Sequence, residues 1–177
     1  MKGNSSKNIK AAITAVGGFV PNDFISNQDL EKVLDTTDEW ITTRTGIKKR
    51  RILKGEGKGT SYLAIKAAED VITKRNIDPD TIDLVIVATI TPDYKGAATA
   101  PSVASAIKAN NAYAFDLSAA CSGFLYGMST ATSYIESGRY KKVLLIGADK
   151  MSSVVDYTRR ETSILFGDGA GAVLVEP

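Results

Sequence analysis

The sequence predicts an α/β fold in which helices cover a mixed sheet. Three observations carry it. Two apolar runs, IDLVIVATIT at 82–91 and KKVLLIGAD at 141–149, lack the alternation of a half-exposed strand and read as strands covered on both faces. SYLAIKAAEDVITKRN at 61–76 and the stretch after Cys121 instead repeat their apolar residues at helical spacing. Strand and helix patterns alternate along the chain, the order that builds helix-covered sheets.

Taken in order, IKAAITAVGGF at 9–19 reads as a first strand ending at Gly17-Gly18, and Pro21 and Asn22 begin a turn. Asn27 is expected to cap a short helix through Leu34, its side-chain oxygen accepting an orphan backbone N–H. DTTDEWITTRTGIKKRR at 35–51 reads as a second short helix, with Asp38 and Glu39 in the first turn and Gly46 as its stop. KGEGKG at 54–59 is a polar loop. Thr60 or Ser61 then starts a longer helix whose buried face holds Leu63, Ala64, Ala67, Ala68, Val71 and Ile72. Pro101 is read as opening another helix at its first position, where the missing N–H is harmless. AYAFDL at 112–117 is a strand. Phe124, Met128, Ala131 and Ile135 share the face of the next helix, which Gly138 ends. SILFGDGAGAVLVE at 163–176 reads as two strands around a Gly-Asp-Gly turn.

The bulk properties narrow the function classes. At 177 residues, with 44% hydrophobic and 24% charged residues, the chain suits one globular domain. A net charge of +2 gives no reason to invoke nucleic acid. No apolar run reaches the ~18 residues of a membrane-spanning helix, and the opening MKGNSSKNIK is too polar for a signal peptide. A single cysteine excludes an internal disulfide and a zinc cluster and fits a reducing compartment, so a cytoplasmic domain is expected.

That cysteine is the centre of the chemistry. In FDLSAACSGFLYGM, residues 115–128, Cys121 follows a strand and a run of small residues and stands where a helix begins. A helix N-terminus carries partial positive charge and unpaired N–H groups, which favour the reactive thiolate. The residues leave two readings open, a packed core thiol or a nucleophile, since the chain has no histidine to handle the proton. Trp40, the sole tryptophan, reads by itself as a core aromatic, and Arg44 as a surface charge. Lys48, Lys49, Arg50 and Arg51 read as a solvated basic face, with attraction of phosphates or an acidic partner as the second reading. FGDGAGA at 166–172 lacks the Lys-Ser/Thr of a phosphate loop, and its glycines suit a hairpin needing positive φ and close packing.

DTTDEWITTRTGI, FDLSAACSGFLYGM and ILFGDGAGAVL, in this order and spacing, resemble β-ketoacyl-acyl-carrier-protein synthase III, the initiating condensing enzyme of bacterial type II fatty-acid synthesis. The resemblance runs from Ile9 to Val175 and is weaker to the thiolases, plant polyketide synthases and elongating synthases that share the fold. It implies the thiolase-like fold, two βαβαβαββ halves in a five-layered αβαβα sandwich. Family members are about twice this length, so residues 1–177 are expected to be the N-terminal half, with one five-stranded mixed sheet and the C-terminal half absent.

The resemblance also implies roles. Cys121 would take an acyl group from acyl-CoA, its backbone N–H forming part of an oxyanion hole. Malonyl-acyl-carrier protein would then lose carbon dioxide and attack the acyl-cysteine, giving 3-oxoacyl-acyl-carrier protein. The family's catalytic His and Asn belong to the second half, which accounts for the missing histidine. Trp40 would stack the CoA adenine against Arg160, the arginine after Arg159, and Thr36 and Arg44 would hold further parts of CoA. Thr99 and Ala100 end a loop that, in the family, crosses a homodimer and lines the partner's primer pocket, often with a bulky aromatic; their small size implies room for branched or longer primers. No cofactor is expected, because the CoA thioester is a substrate, and no metal, nucleic acid or membrane. Two alternatives stand beside this reading: a related starter-unit condensing enzyme of polyketide or quinolone type, and an isolated half that is catalytically inert.

Overall fold

The structure, a computed structural model, describes residues 9–177. The polar opening read as no signal peptide therefore lies, through residue 8, outside the described residues. In chain order the elements are β1 (Ala12–Phe19), β2 (Phe24–Ser26), α1 (Asn27–Glu31), α2 (Asp38–Thr45), β3 (Lys49–Arg51), α3 (Thr60–Arg75), β4 (Leu84–Ala88), α4 (Thr99–Ala106), β5 (Tyr113–Leu117), α5 (Gly123–Glu136), β6 (Val143–Lys150), α6 (Arg160–Ser163) and β7 (Asp168–Glu176). Among the described residues no helix is long and apolar enough to cross a membrane.

Five strands form one mixed sheet in the order β1-β7-β6-β4-β5. β4 pairs parallel with β5 and β6, while β7 runs antiparallel to both β6 and β1. Leaving the small elements aside, β1-α3-β4-α4-β5-α5-β6-β7 is the expected βαβαβαββ order. Every residue of β4 is buried, as its unbroken apolar run requires. The period-2 geometry of a strand sorts its side chains to opposite faces. Val85 and Val87 join Leu144 and Ile146 under α3 and α4. Leu84 and Ile86 join Val143 and Leu145 under Ala131 and Ile135 of α5. The sheet is thus the middle of three layers. Gly17 lets α3 come close: a Cβ there would lie 2.7 Å from the Val71 amide nitrogen and 2.9 Å from the Ala67 carbonyl oxygen.

Several expectations are corrected. Gly17 and Gly18 lie inside β1 instead of ending it. Ser26, not Asn27, caps α1, in a reciprocal capping box with Asp29. The helix stops at Glu31, short of Leu34. Residues 35–51 hold α2 as read, capped by Thr37 and ended by Gly46 at φ +71°, but the chain then forms β3, which pairs with β2. α4 starts at Thr99, two residues before Pro101, because the Asp116 carboxylate accepts the Thr99 and Ala100 N–H groups, both at 2.7 Å. The segment 163–176 is no hairpin: the end of α6 leads into the single strand β7, which pairs with β6 across a 17-residue excursion, 151–167. Its glycines have no positive φ; Gly167 is needed for packing, since a Cβ would lie 2.9 Å from the Arg51 carbonyl oxygen.

Candidate active site

Cys121 stands beyond the C-terminal end of β5, in a single 3-10 turn, Ala120–Ser122, that precedes α5. The α-helix proper begins at Gly123, two residues later than the sequence reading placed it. Ala120 takes φ +46°, the left-handed region that a non-glycine residue enters only when its surroundings demand it. That bend carries the chain out of β5, and Cys121 is exposed, not a packed core thiol. The turn is closed by the Ser122 N–H on the Ala119 carbonyl at 3.1 Å. Ser122 supplies no side-chain cap to α5, and the N–H of Gly123, its first residue, donates to the Ala120 carbonyl.

The thiol opens on a pocket of about 330 Å³ walled by Ala88 of β4, Gly147 and Asp149 of β6, Gly169 and Gly171 of β7, and Phe124 of α5. Parallel α/β sheets bind ligands at the carboxyl ends of their strands, and here the ends of β4, β5 and β6 converge. Small residues leave the volume open. Asp149 stiffens the wall: its Oδ1 accepts from Thr89 Oγ1 at 2.9 Å, the Ile90 N–H at 2.9 Å, and the Thr91 N–H and Oγ1 at 3.2 and 2.8 Å. Neither Asp149 nor Asp116 was singled out in the sequence. The available signal was a carboxylate ending or interrupting an apolar strand, which must find donors to be tolerated there.

A second group forms around Trp40 on α2. Arg44, one turn later, places its guanidinium carbon 4.3 Å from the Trp40 ring centroid, and Arg160 of α6 lies 4.8 Å from the same centroid. Arg160 Nη1 also donates to the Asp35 carbonyl at 3.0 Å, while Arg159 approaches Glu161 at 3.9 Å. A cavity of about 430 Å³ lies between residues 33–35 and 158–161. Thr36 sits beside it, its N–H on the Leu34 carbonyl and its Oγ1 buried without a hydrogen-bond partner among the described residues. The fold therefore brings Trp40, Arg44 and Arg160 together, with Thr36 four residues before Trp40. It does not bring Thr99 and Ala100 to the Cys121 pocket: both are buried in the first turn of α4.

The basic run 48–51 is not one solvated face. Arg50 is 2% exposed, and burial pushes its guanidinium below its ordinary value. Lys49 instead lies over Phe24, and Arg51 donates to the Pro21 and Asn22 carbonyls.

Comparison with known proteins bears on these geometries. The sequence model of the 3-oxoacyl-[acyl-carrier-protein] synthase III family matches residues 115–177. A β-ketoacyl-[acyl-carrier-protein] synthase III of Chlorobium chlorochromatii (strain CaD3) is 59% identical over 169 residues, 96% of this chain and 51% of the relative. The crystal structure of a 3-oxoacyl-[acyl-carrier-protein] synthase III from Aquifex aeolicus VF5 matches with a TM-score of 0.90 at 49% identity, covering 94% of this chain and 54% of that one. A priming β-ketosynthase from the R1128 polyketide biosynthetic pathway matches with a TM-score of 0.91 at 37% identity, covering 96% and 51%. The chain spans about half the length of the relatives it matches.

Proposed function

We propose, for a chain that belongs to the β-ketoacyl-[acyl-carrier-protein] synthase III family and has its thiolase-like α/β fold, that Cys121 is the acyl-accepting nucleophile of an initiating condensing enzyme. The observation that carries the reading is the placement of the only cysteine: exposed, on a strained turn, at the mouth of a pocket lined by small residues. Cys121 Sγ bonds to the acyl carbon of an acyl-CoA, and coenzyme A leaves as its thiol with the cysteine's proton. The Cys121 backbone N–H helps hold the developing oxyanion. Malonyl-acyl-carrier protein then loses carbon dioxide, and its carbanion displaces Sγ to give 3-oxoacyl-acyl-carrier protein. No cofactor enters this scheme.

Residues 1–177 are, on this reading, the N-terminal half, and the His and Asn for the decarboxylation step lie in a second half. Exposed apolar side chains support that division, among them Val16 of β1 at 60% and Leu125 of α5 at 69%. Trp40, Arg160, Arg44 and Thr36 form the CoA site. An adenine sandwiched between Trp40 and Arg160 needs two contact spacings of ~3.5–4 Å. The 4.8 Å now separating ring and guanidinium must therefore widen on binding, by a swing of the exposed Arg160 side chain while the helices keep their places. The buried, unpartnered Thr36 hydroxyl is suited to a ligand hydrogen bond. The complete enzyme is proposed to be a soluble, cytoplasmic homodimer.

The test is condensation by the complete enzyme with acetyl-CoA or isobutyryl-CoA and malonyl-acyl-carrier protein. Cys121→Ala is expected to lower the rate at least about a thousandfold, as loss of a covalent nucleophile does. Product at the unmodified rate would overturn the assignment. The likeness to a priming polyketide ketosynthase favours a second reading, a starter-unit enzyme of that type, for which isobutyryl-CoA would be used well and a fatty-acid carrier protein poorly.

A further inference from the structure

We propose that Arg50 is a positioning residue that sets the two walls of the Trp40 site against each other; the proposal rests on the CoA reading of that site. Trp40 and Arg160 lie far apart in sequence, on α2 and α6, yet meet at 4.8 Å. Both are at least partly solvated, and an exposed cation–π contact gives only about a two- to fivefold preference, too little to hold two segments in register.

The buried guanidinium behind them supplies the connection. Arg50 Nε and Nη2 both donate to the Ile164 carbonyl, at 2.9 and 2.6 Å, just after α6. Its Nη1 donates to Asn27 Oδ1 at 2.5 Å. Asn27, fully buried, passes the link on through Nδ2 to Asp38 Oδ1 at 2.6 Å, Thr42 Oγ1 at 3.2 Å and the Ile47 carbonyl at 2.9 Å. Asp38 and Thr42 flank Trp40 on α2, and Ile164 follows Arg160 by four positions. Ile164 also packs with Leu30, Ile41 and Trp40. One planar fork thus fixes the helix carrying Trp40 and Arg44 and the helix carrying Arg160. An apolar side chain of similar volume would fill the space as well. What the arginine adds is a single permitted geometry.

The test uses the 177-residue chain, in which Trp40 is the sole fluorophore of its kind. Arg50→Met removes every donor at similar length; Arg50→Lys keeps the charge and loses the fork; Arg51→Met is the control on a neighbouring cation. All are measured well below their own melting midpoints, first by acrylamide quenching of Trp40 without ligand, then by titration with coenzyme A. Arg50→Met is expected to raise Trp40 accessibility and to weaken coenzyme A binding about tenfold or more, as misplacement of a binding wall by an ångström does, with Arg50→Lys between it and the unmodified chain. Arg51→Met should bind as the unmodified chain does. If Arg50→Met does not fold, Arg50→Lys carries the same comparison. Variants that melt lower yet quench and bind like the unmodified chain overturn the proposal, as does an equal loss in Arg51→Met. An unmodified chain that ignores coenzyme A overturns the CoA reading itself; acrylamide access then decides, a rise in Arg50→Met upholding the positioning role and no rise refuting it.

Discussion

Ala120 joins backbone geometry to chemistry, because the bend at φ +46° is what turns Cys121 out of β5 into the pocket. A left-handed alanine costs about 1–2 kcal/mol. Glycine avoids that cost but loses about 0.5–1 kcal/mol in added chain entropy. Ala120→Gly should therefore leave the unfolding free energy unchanged or raise it by about 1 kcal/mol in urea denaturation. A drop of more than about 1 kcal/mol would mean that the turn is not strained. The placement of Cys121 was legible in the sequence, as a strand pattern, three small residues and a helix pattern in succession. The strain was not, since Ala carries no mark of left-handed backbone. The Trp40 group was not legible in the residues alone, where Trp40 reads as a core aromatic and Arg44 as a surface charge; only the family resemblance joined them in one site. Nor was Arg50 legible. Four consecutive cations look alike until β3 is known, and then period-2 alternation sends Lys49 and Arg51 to one side and Arg50 to the other.

Among the elements, those with a clear apolar period or an unbroken apolar run were read correctly, and those without one were not. The buried face of α3 appeared as expected, because sixteen residues give the helical period several turns to declare itself. β2 and β3, three residues each, have no period to show. The supposed hairpin at 163–176 failed because glycines that serve close packing and glycines that serve positive φ look the same in sequence. Asn27 was misread for a related reason: Ser26 and Asn27 are both good caps, and only the capping box chooses Ser26, which frees Asn27 to face inward. That box has a pH signature. Hydrogen bonds from the Ser26 side chain and N–H, with Lys32 nearby, hold the Asp29 carboxyl down at about 2, against 3.8 ordinarily. A depressed folded-state value means that its contribution is full above the ordinary carboxylate range and lost as pH falls through about 2. Asp29→Asn should remove that part of the acid destabilisation and leave a shallower slope of stability between pH 4 and 2. An unchanged slope in paired acid titrations would contradict the box.

At the scale of the whole molecule, the alternation of β4 and β6 between two helical layers leaves the strand ends free to build the pocket. The three-layer order was legible because fully apolar strands admit no solvent face. The excursion between β6 and β7 was not, because nothing local in residues 151–167 says that α6 must dock beside α2. The proposed nucleophile, its strained turn, the N-terminus of α5 and the Trp40 group all belong to this one chain, although it spans about half the length of its relatives. On the proposed reading, acyl transfer to Cys121 is separable from the later decarboxylation. The most direct measurement is the intact mass of the purified 177-residue chain and of Cys121→Ala after incubation with acetyl-CoA. The account predicts one acetyl increment per chain and none on Cys121→Ala. A chain that binds coenzyme A but stays unmodified, or an increment that survives Cys121→Ala, would contradict it.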